Sequence, residues 1–371
     1  MMNQMDTRPL SPPEDSMSDE NLGKACIKVL GLGGGGSNAI NRMIELGLTG
    51  VEFIAANTDQ QALSSSLAPT RLQLGPRVTR GLGAGGDPRI GAAAAMESAN
   101  EIASALKGAD MVFITAGMGG GTGTGSAPVA AEIARELGIL VVAIVTLPFT
   151  FEMGKRSQNA LKGVRGLQPH AHTLITVPND KLLEIVPRDI SLEVAFRLAD
   201  DVLRQGVQGI SELATRPGLI NVDFAHIRTI MQKGGGSFMA IGMGAGNNKA
   251  ATAISQAIRH PLLDIDNLEG ARGVLLHFTG GDDLTLFEIS EAVSTLREQL
   301  NPETDIILGA TTDPGMKDRA QAILIVTGVG GHAVTAGSAS TVAISSVAKN
   351  EVVDTNNLDL PTFLRRRVAI G

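Results

Sequence analysis

Two glycine clusters are the residues most able to do chemistry. Gly31, Gly33 and Gly36 in GLGGGGSN fit the spacing G-x-G-x-x-G, and GMGGGTGTG puts six glycines into the nine residues 117–125. Each cluster follows an apolar run of strand character and precedes a helical pattern. Glycine lets backbone N–H groups converge on anionic oxygens, and a helix opening there adds its positive dipole end. The first cluster alone fits a dinucleotide pyrophosphate, with Glu52 and Asp59 roughly 20 residues on as candidate ribose partners. Two clusters facing one site exceed that need and suit a triphosphate. Thr122, Thr124 and Ser126 could add hydroxyl donors to the same oxygens. No lysine interrupts the second run and G-x-x-x-x-G-K-[ST] is absent, which excludes a P-loop. Phosphate charge then falls to Mg²⁺ or a nearby arginine. The plainer alternative, turns at strand ends, suits the second run poorly, because glycine is costly in backbone entropy.

Positioning such loops takes strands and helices in alternation. Residues 1–22 are rich in Pro, Ser, Asp and Glu and read as a disordered tail. From Ala25, strand-like CIKVLGLG, VEFIAAN, MVFITAG and ILVVAIVTL alternate with helices over SNAINRMIEL, an alanine-rich stretch after Pro88, and a helix opening at Pro128. Fully apolar strands are covered on both faces, so the reading is an α/β fold with a doubly wound, mostly parallel sheet over residues 23–190. A long helix is expected over 191–218, with Leu192, Ala195, Phe196, Ala199, Val202, Leu203, Val207 and Ile210 at helical spacing. A second, smaller α/β domain follows over 219–330, with helices at Lys249–Arg259 and Leu284–Leu300, then a linker over 331–357 and a short segment over 358–371.

Composition narrows the function. The 371 residues are 43% hydrophobic and 19% charged, which permits a large core. No Trp or Tyr and only 10 Phe argue against base stacking along a nucleic acid, and a net charge of −7 offers no field for a polyanion or anionic lipid. The one cysteine, Cys26, excludes internal disulfides. The longest apolar run, Ile139–Leu147, is too short to span a bilayer, and no charged-then-apolar leader opens the chain, so a cytoplasmic location is expected.

In order, GLGGGGSNAINRM, NTDQQAL, TRGLGAGGDP, AGMGGGTGTGSAP, PFTFEMGKR, ITVPNDKLL, AFRLADDVLRQGVQGIS and GLINVDFAHIRTIM resemble the tubulin/FtsZ family from about Ala25 to Val329. The resemblance implies a GTP-binding, filament-forming division protein whose site residues can be placed here. Gly33, Gly34, Gly35, Gly36, Ser37 and Asn38, together with Gly117, Gly119, Gly120, Gly121, Thr122, Gly123, Thr124 and Gly125, would hold the phosphates of GTP or GDP. Asn57 and Asp59 would lie beside them, and Ala84, Gly85 and Gly86 would sense the γ-phosphate. Glu152 would bind ribose, Arg156 would lie near phosphate and base, Phe196 would pack on the purine, and Asn179 and Asp200 would read its edge. A carboxylate accepts from both N1–H and the 2-amino group of guanine, whereas adenine offers neither there. From the residues alone, Asp200 beside Asp201 also reads as a solvated helix face.

By the same resemblance, Asn221, Asp223 and His226 form the loop that would enter the nucleotide site of the next subunit and act on the attacking water. His226 departs from the family, which has a second aspartate there. An imidazole carries no fixed negative charge, leaving three readings: general base, phosphate clamp, or surface residue without a role. Slow GTP turnover, and even a non-hydrolysing scaffold that copolymerises with another FtsZ, are therefore open. Leu147, Met153 and Ser37 are milder departures. The segment Leu358–Arg367 resembles the family's partner-binding peptide, which implies membrane anchoring through FtsA- or SepF-type proteins beneath the inner membrane at the division site. A coil of the linker's length reaches on the order of 30 Å.

Overall fold

Val29, Leu30 and Leu32 lose all contact with solvent within β1 (Ile27–Leu32), as a strand covered on both faces must. It belongs to a computed structural model that describes residues 25–329 other than 153, 185–189, 216–217, 235 and 261–267. The N-terminal tail, Met153, the linker over 331–357 and the segment Leu358–Arg367 lie outside the described residues.

In chain order follow α1 (Gly33–Glu45), β2 (Glu52–Asn57), α2 (Gln60–Ser64), β3 (Thr70–Gln73), α3 (Pro76–Thr79), α4 (Pro88–Glu97), α5 (Ala99–Leu106), β4 (Met111–Gly117) and α6 (Thr122–Glu136). Next come β5 (Leu140–Leu147), α7 (Gly154–Leu167), β6 (Thr173–Pro178), α8 (Asn179–Leu182), α9 (Leu192–Thr215) and α10 (Phe224–Met231). The remainder is β7 (Gly236–Ala245), α11 (Lys249–Ile258), β8 (Gly273–Gly280), α12 (Leu286–Arg297), β9 (Asp305–Thr312) and β10 (Arg319–Val329). One sheet runs in the order β3-β2-β1-β4-β5-β6-β7-β10-β8-β9. Its first six strands are parallel, and the order reverses between β1 and β4. Ligands of doubly wound sheets bind outside the carboxyl ends of the strands at such a reversal. Both glycine clusters lie there.

Among the described residues, β6 joins the rest of the sheet through the pair Ile175 with Ser237. Beyond it, β10 pairs antiparallel with β7 and β8, and a second apolar core gathers Ala253, Ile254, Leu276, Phe278, Ile289 and Leu324. The long helix α9 has 24 residues, about 36 Å at 1.5 Å per residue, and buries Ala199, Val202, Leu203, Val207, Ile210 and Leu213.

Three expectations are corrected. Helix α6 opens at Thr122 rather than Pro128, which lies inside it. Gly and Thr are weak helix formers, but here packing decides: a Cβ on Gly125 would stand 2.0 Å from the Pro88 carbonyl, and one on Gly91 would stand 2.2 Å from that of Gly121. Helix α1 likewise opens at Gly33 instead of Ser37, because it starts hard against β4, where a Cβ on Gly36 would stand 2.5 Å from the Thr115 carbonyl. The single alanine-rich helix after Pro88 is two, α4 and α5. They divide at Ser98, whose hydroxyl donates to the Gln73 carbonyl (3.3 Å) and accepts from the Gly75 amide (3.0 Å), competing with helix continuation.

Candidate functional site

The first turns of α1 and α6 meet across the β1/β4 reversal. A Cβ on Gly33 would stand 2.8 Å from the Gly123 nitrogen, and one on Gly35 would stand 3.0 Å from that of Gly117. Neither helix has a side-chain hydrogen bond capping its N-terminus. The opening amides of both helices therefore need acceptors from elsewhere. A Cβ on Gly34 or Gly120 would meet nothing within 4 Å, so open space adjoins both loops. This is an anion cradle built from two helix starts.

The hydroxyls of the second loop are less free than their sequence suggests. Ser126 Oγ donates to the Thr122 carbonyl (2.7 Å), and Thr124 Oγ1 accepts from the Gly119 amide (2.8 Å). Both hold the loop's shape, which leaves Thr122, paired with Thr58 Oγ1 at 2.5 Å, as the hydroxyl best placed for a ligand. Ser37 is buried and its Oγ has no hydrogen-bond partner.

Asn57 and Asp59 sit at the carboxyl end of β2. Asn57 Oδ1 accepts from the Asp59 amide (3.2 Å), and Asp59 caps α2 by accepting from Gln61 (2.9 Å) and Ala62 (3.1 Å). Ala84 packs on the second loop, a Cβ on Gly121 lying 2.8 Å from its own Cβ. Gly85 and Gly86 take φ of +57° and +75° with open space around them. Sequence reasoning missed Asn159, whose Nδ2 donates to the carbonyls of Gly86 (3.3 Å) and Gly119 (3.4 Å) and so ties two loops together. Its only signal is its place in a helix just after the PFTFEMGKR motif.

Just past the end of β5, Glu152 accepts from the Phe149 amide (2.9 Å) and pairs with Arg156 one helical turn on. Phe196 stands edge-on to buried Phe149, ring centroids 5.5 Å apart, and is itself 39% exposed. Asn179 is buried at the end of β6 with no hydrogen bond to its Oδ1. One turn along α9 from Phe196, burial pushes the Asp200 carboxyl up to about 7, and the Arg42 cation pulls it part of the way back. Among the described residues, a carboxylate with no hydrogen-bond donor, an orphaned amide oxygen and an exposed ring fit a purine with N–H groups on its edge. The residues present thus fit a guanine nucleotide. For a metal ion, no group of three or more His, Cys, Asp or Glu gathers among the described residues.

Asn221, Asp223 and His226 are not part of this constellation. Asn221 Oδ1 accepts from the Gly218 amide (2.7 Å), Asp223 caps α10 by accepting from Ala225 (2.9 Å), and all three residues are exposed. Arg228 of the same helix donates from Nη2 to the carbonyl of Gly138 (3.2 Å), just before β5 begins. The glycine loops leave the opposite, carboxyl ends of the parallel strands. Eight residues of β5 separate the two poles by about 26 Å. Helix α9 spans a similar distance, from Phe196 beside Phe149 at the carboxyl end of β5 to Thr215 beside Gly50, which precedes β2.

The sequence and fold have close counterparts. Residues 26–187 match the GTPase domain of the Tubulin/FtsZ family, and residues 235–330 match the C-terminal domain of the FtsZ family. Cell division protein FtsZ of Pseudomonas aeruginosa is 47% identical over 352 residues, 92% of this chain and 89% of that protein. That of Coxiella burnetii is 46% identical over 343 residues, with the same coverage of 92% and 89%. An empty FtsZ dimer from M. jannaschii superposes with a TM-score of 0.79 at 48% identity, covering 82% of this chain and 89% of that one. The GDP-bound CetZ1 monomer of Haloferax volcanii shares the fold, with a TM-score of 0.69 at 22% identity over 82% of this chain and 94% of that one.

Proposed function

The chain belongs to the tubulin/FtsZ family, and on that premise we propose that it binds GTP between the first turns of α1 and α6 and hydrolyses it only where a neighbouring subunit completes the site. It is a GTPase and a cell-division filament protein. The observation that carries the shared site is the separation of poles: the carboxylate-bearing loop ahead of α10 opens at one end of the sheet and the glycine loops at the other. Head-to-tail stacking brings one subunit's loop to the next subunit's cradle, and a filament follows from repetition.

Within the cradle, the main-chain amides of Gly33–Gly36 and of Thr122–Gly125 hold the phosphates, with Ala84–Gly86 beside the terminal one. Glu152 takes the ribose, Phe196 covers one face of the purine, and Asn179 and Asp200 read its edge. Asp59, its carboxyl tied by helix-capping bonds, lies beside the phosphates. Mg²⁺, when bound, would offset phosphate charge that no lysine of the loop offsets. From the next subunit, Asn221 and Asp223 orient and polarise the attacking water. His226 brings no carboxylate, and this favours slow turnover and long-lived filaments, or at the extreme a scaffold copolymerising with another FtsZ. A nicotinamide-dependent oxidoreductase uses the first glycine cluster and leaves the second without a purpose.

No helix among the described residues is long and apolar enough to cross a membrane. Attachment at the division site would run through the segment Leu358–Arg367 and an FtsA- or SepF-type partner. Sedimentation with GTP, with GDP and with ATP tests the assembly reading. Pelleting with GTP alone is expected; equal pelleting with ATP would contradict it.

A further inference from the structure

We propose that Asn159 is the positioning residue for the terminal phosphate, holding the turn Ala84–Gly86 where a triphosphate, but not a diphosphate, needs it, a role that rests on the reading of that turn proposed above. Asn159 lies on α7, between Arg156 and Gly163. The spacing i, i+3, i+7 puts these three residues on one side of the helix. That side runs along the second glycine loop. A Cβ on Gly119 would stand 3.0 Å from the Arg156 carbonyl oxygen, and one on Gly163 would stand 2.5 Å from Thr124 Cγ2, so α7 touches the loop at both ends. Between these contacts, Asn159 Nδ2 donates to the Gly119 carbonyl (3.4 Å) and, with its second hydrogen, to the Gly86 carbonyl (3.3 Å).

The two loops depend on this amide unequally. The entry of the turn is held by the Gly83 amide on the Thr58 carbonyl (3.2 Å), and its exit by the Asp87 amide on the Ala84 carbonyl (3.0 Å). Gly85 and Gly86 between them are exposed, at positive φ, and a Cβ on either would meet nothing within 4 Å. Among the described residues, Asn159 Nδ2 is the hydrogen-bond donor that reaches residues 85 and 86. Glycines in open space have the most backbone freedom to lose, and a turn already held loses less of it when a ligand engages. The second loop has its own support, since the Gly119 amide donates to Thr124 Oγ1 (2.8 Å). Phosphates resting on the glycine loops therefore feel little of Asn159, whereas a phosphate resting on Ala84–Gly86 feels it directly.

The test is competition against a fluorescent GDP on nucleotide-stripped, full-length protein, at subunit concentrations too low for assembly. It compares GDP with the non-hydrolysable triphosphate GMPPCP for wild type, Asn159→Ala and Asn159→Leu. The leucine keeps most of the side chain's bulk between the two loops and removes both donors. GMPPCP affinity should fall about five- to tenfold in both variants, with GDP affinity kept within about twofold of wild type. Equal weakening of the two nucleotides would assign Asn159 to the general shape of the cradle and overturn the proposal. So would GMPPCP binding unchanged in both variants, or a loss in Asn159→Ala that Asn159→Leu restores, since packing alone would then suffice. Each of these leaves the cradle standing. A wild type that binds neither nucleotide removes the cradle itself, and with it the reading of the turn.

Discussion

The 3.2 Å hydrogen bond from Arg228 Nη2 to the Gly138 carbonyl anchors α10 beside the amino end of β5, at the pole of the sheet that the glycine loops do not occupy. Asp223, the cap of that helix, is therefore remote from the nucleotide site proposed for its own subunit. Asp223→Ala should leave GDP affinity of dilute subunits within about twofold and lower GTP turnover of assembled protein by roughly 100-fold or more. Equilibrium binding and phosphate release, measured on one preparation, separate the two effects. A large loss of GDP affinity in the variant would place the loop in its own subunit's pocket.

His226 is exposed beside that cap and supplies no negative charge of the kind a second aspartate would. His226→Asp should raise turnover several-fold and shorten filament lifetime after GTP is exhausted, followed by light scattering. Turnover already typical of the family and unmoved by the substitution would end the idea of a slow enzyme.

Neighbouring glycines of the first loop do different jobs. A Cβ on Gly36 would lie 2.5 Å from the Thr115 carbonyl and 2.8 Å from the Gly31 carbonyl carbon, so Gly36→Ala should destabilise the fold by about 1–3 kcal/mol. Gly34 faces open space, so Gly34→Ala should leave the melting temperature nearly unchanged and weaken nucleotide binding by narrowing the cradle. Thermal melts without nucleotide, run beside GDP titrations, distinguish the two. The reverse pattern would mean that the open space beside Gly34 is not the phosphate site.

Asp200 gives the nucleotide-free protein a signed pH dependence. Its folded carboxyl is raised by burial to about 7 from an ordinary 3.8. The stability it contributes is complete below about pH 4 and is lost as pH rises through 7. Relative to Asp200→Asn, which cannot ionise, wild type should lose a few degrees of melting temperature between pH 5 and pH 8. Saturating GDP should close that gap for wild type by supplying donors to the carboxylate. Parallel melting curves for the two proteins across this range would show that Asp200 stays solvated.

Much of this was legible because it rests on strong local signals. Four apolar runs fixed parallel strands, and parallel strands with a reversal fix where a ligand must bind. The spacing of Ala199, Val202, Leu203 and Val207 was enough for α9. Less was visible where tertiary contacts override local preference. Thr122–Gly125 reads as loop and folds as helix because glycines let α4 and α6 touch backbone to backbone. The edge strand β3, TRLQ, has no apolar run to announce it. The ties made by Asn159 depend on segments far apart in sequence, and no spacing rule reaches them.

The central claim is that neither end of one subunit is an enzyme alone. Initial GTP turnover measured against total protein concentration, with pelleting followed in the same samples, tests it most directly. The account predicts almost no turnover below a threshold concentration, then a linear rise that begins where polymer first appears. A rate proportional to protein from the lowest concentration, with no polymer present, would contradict it.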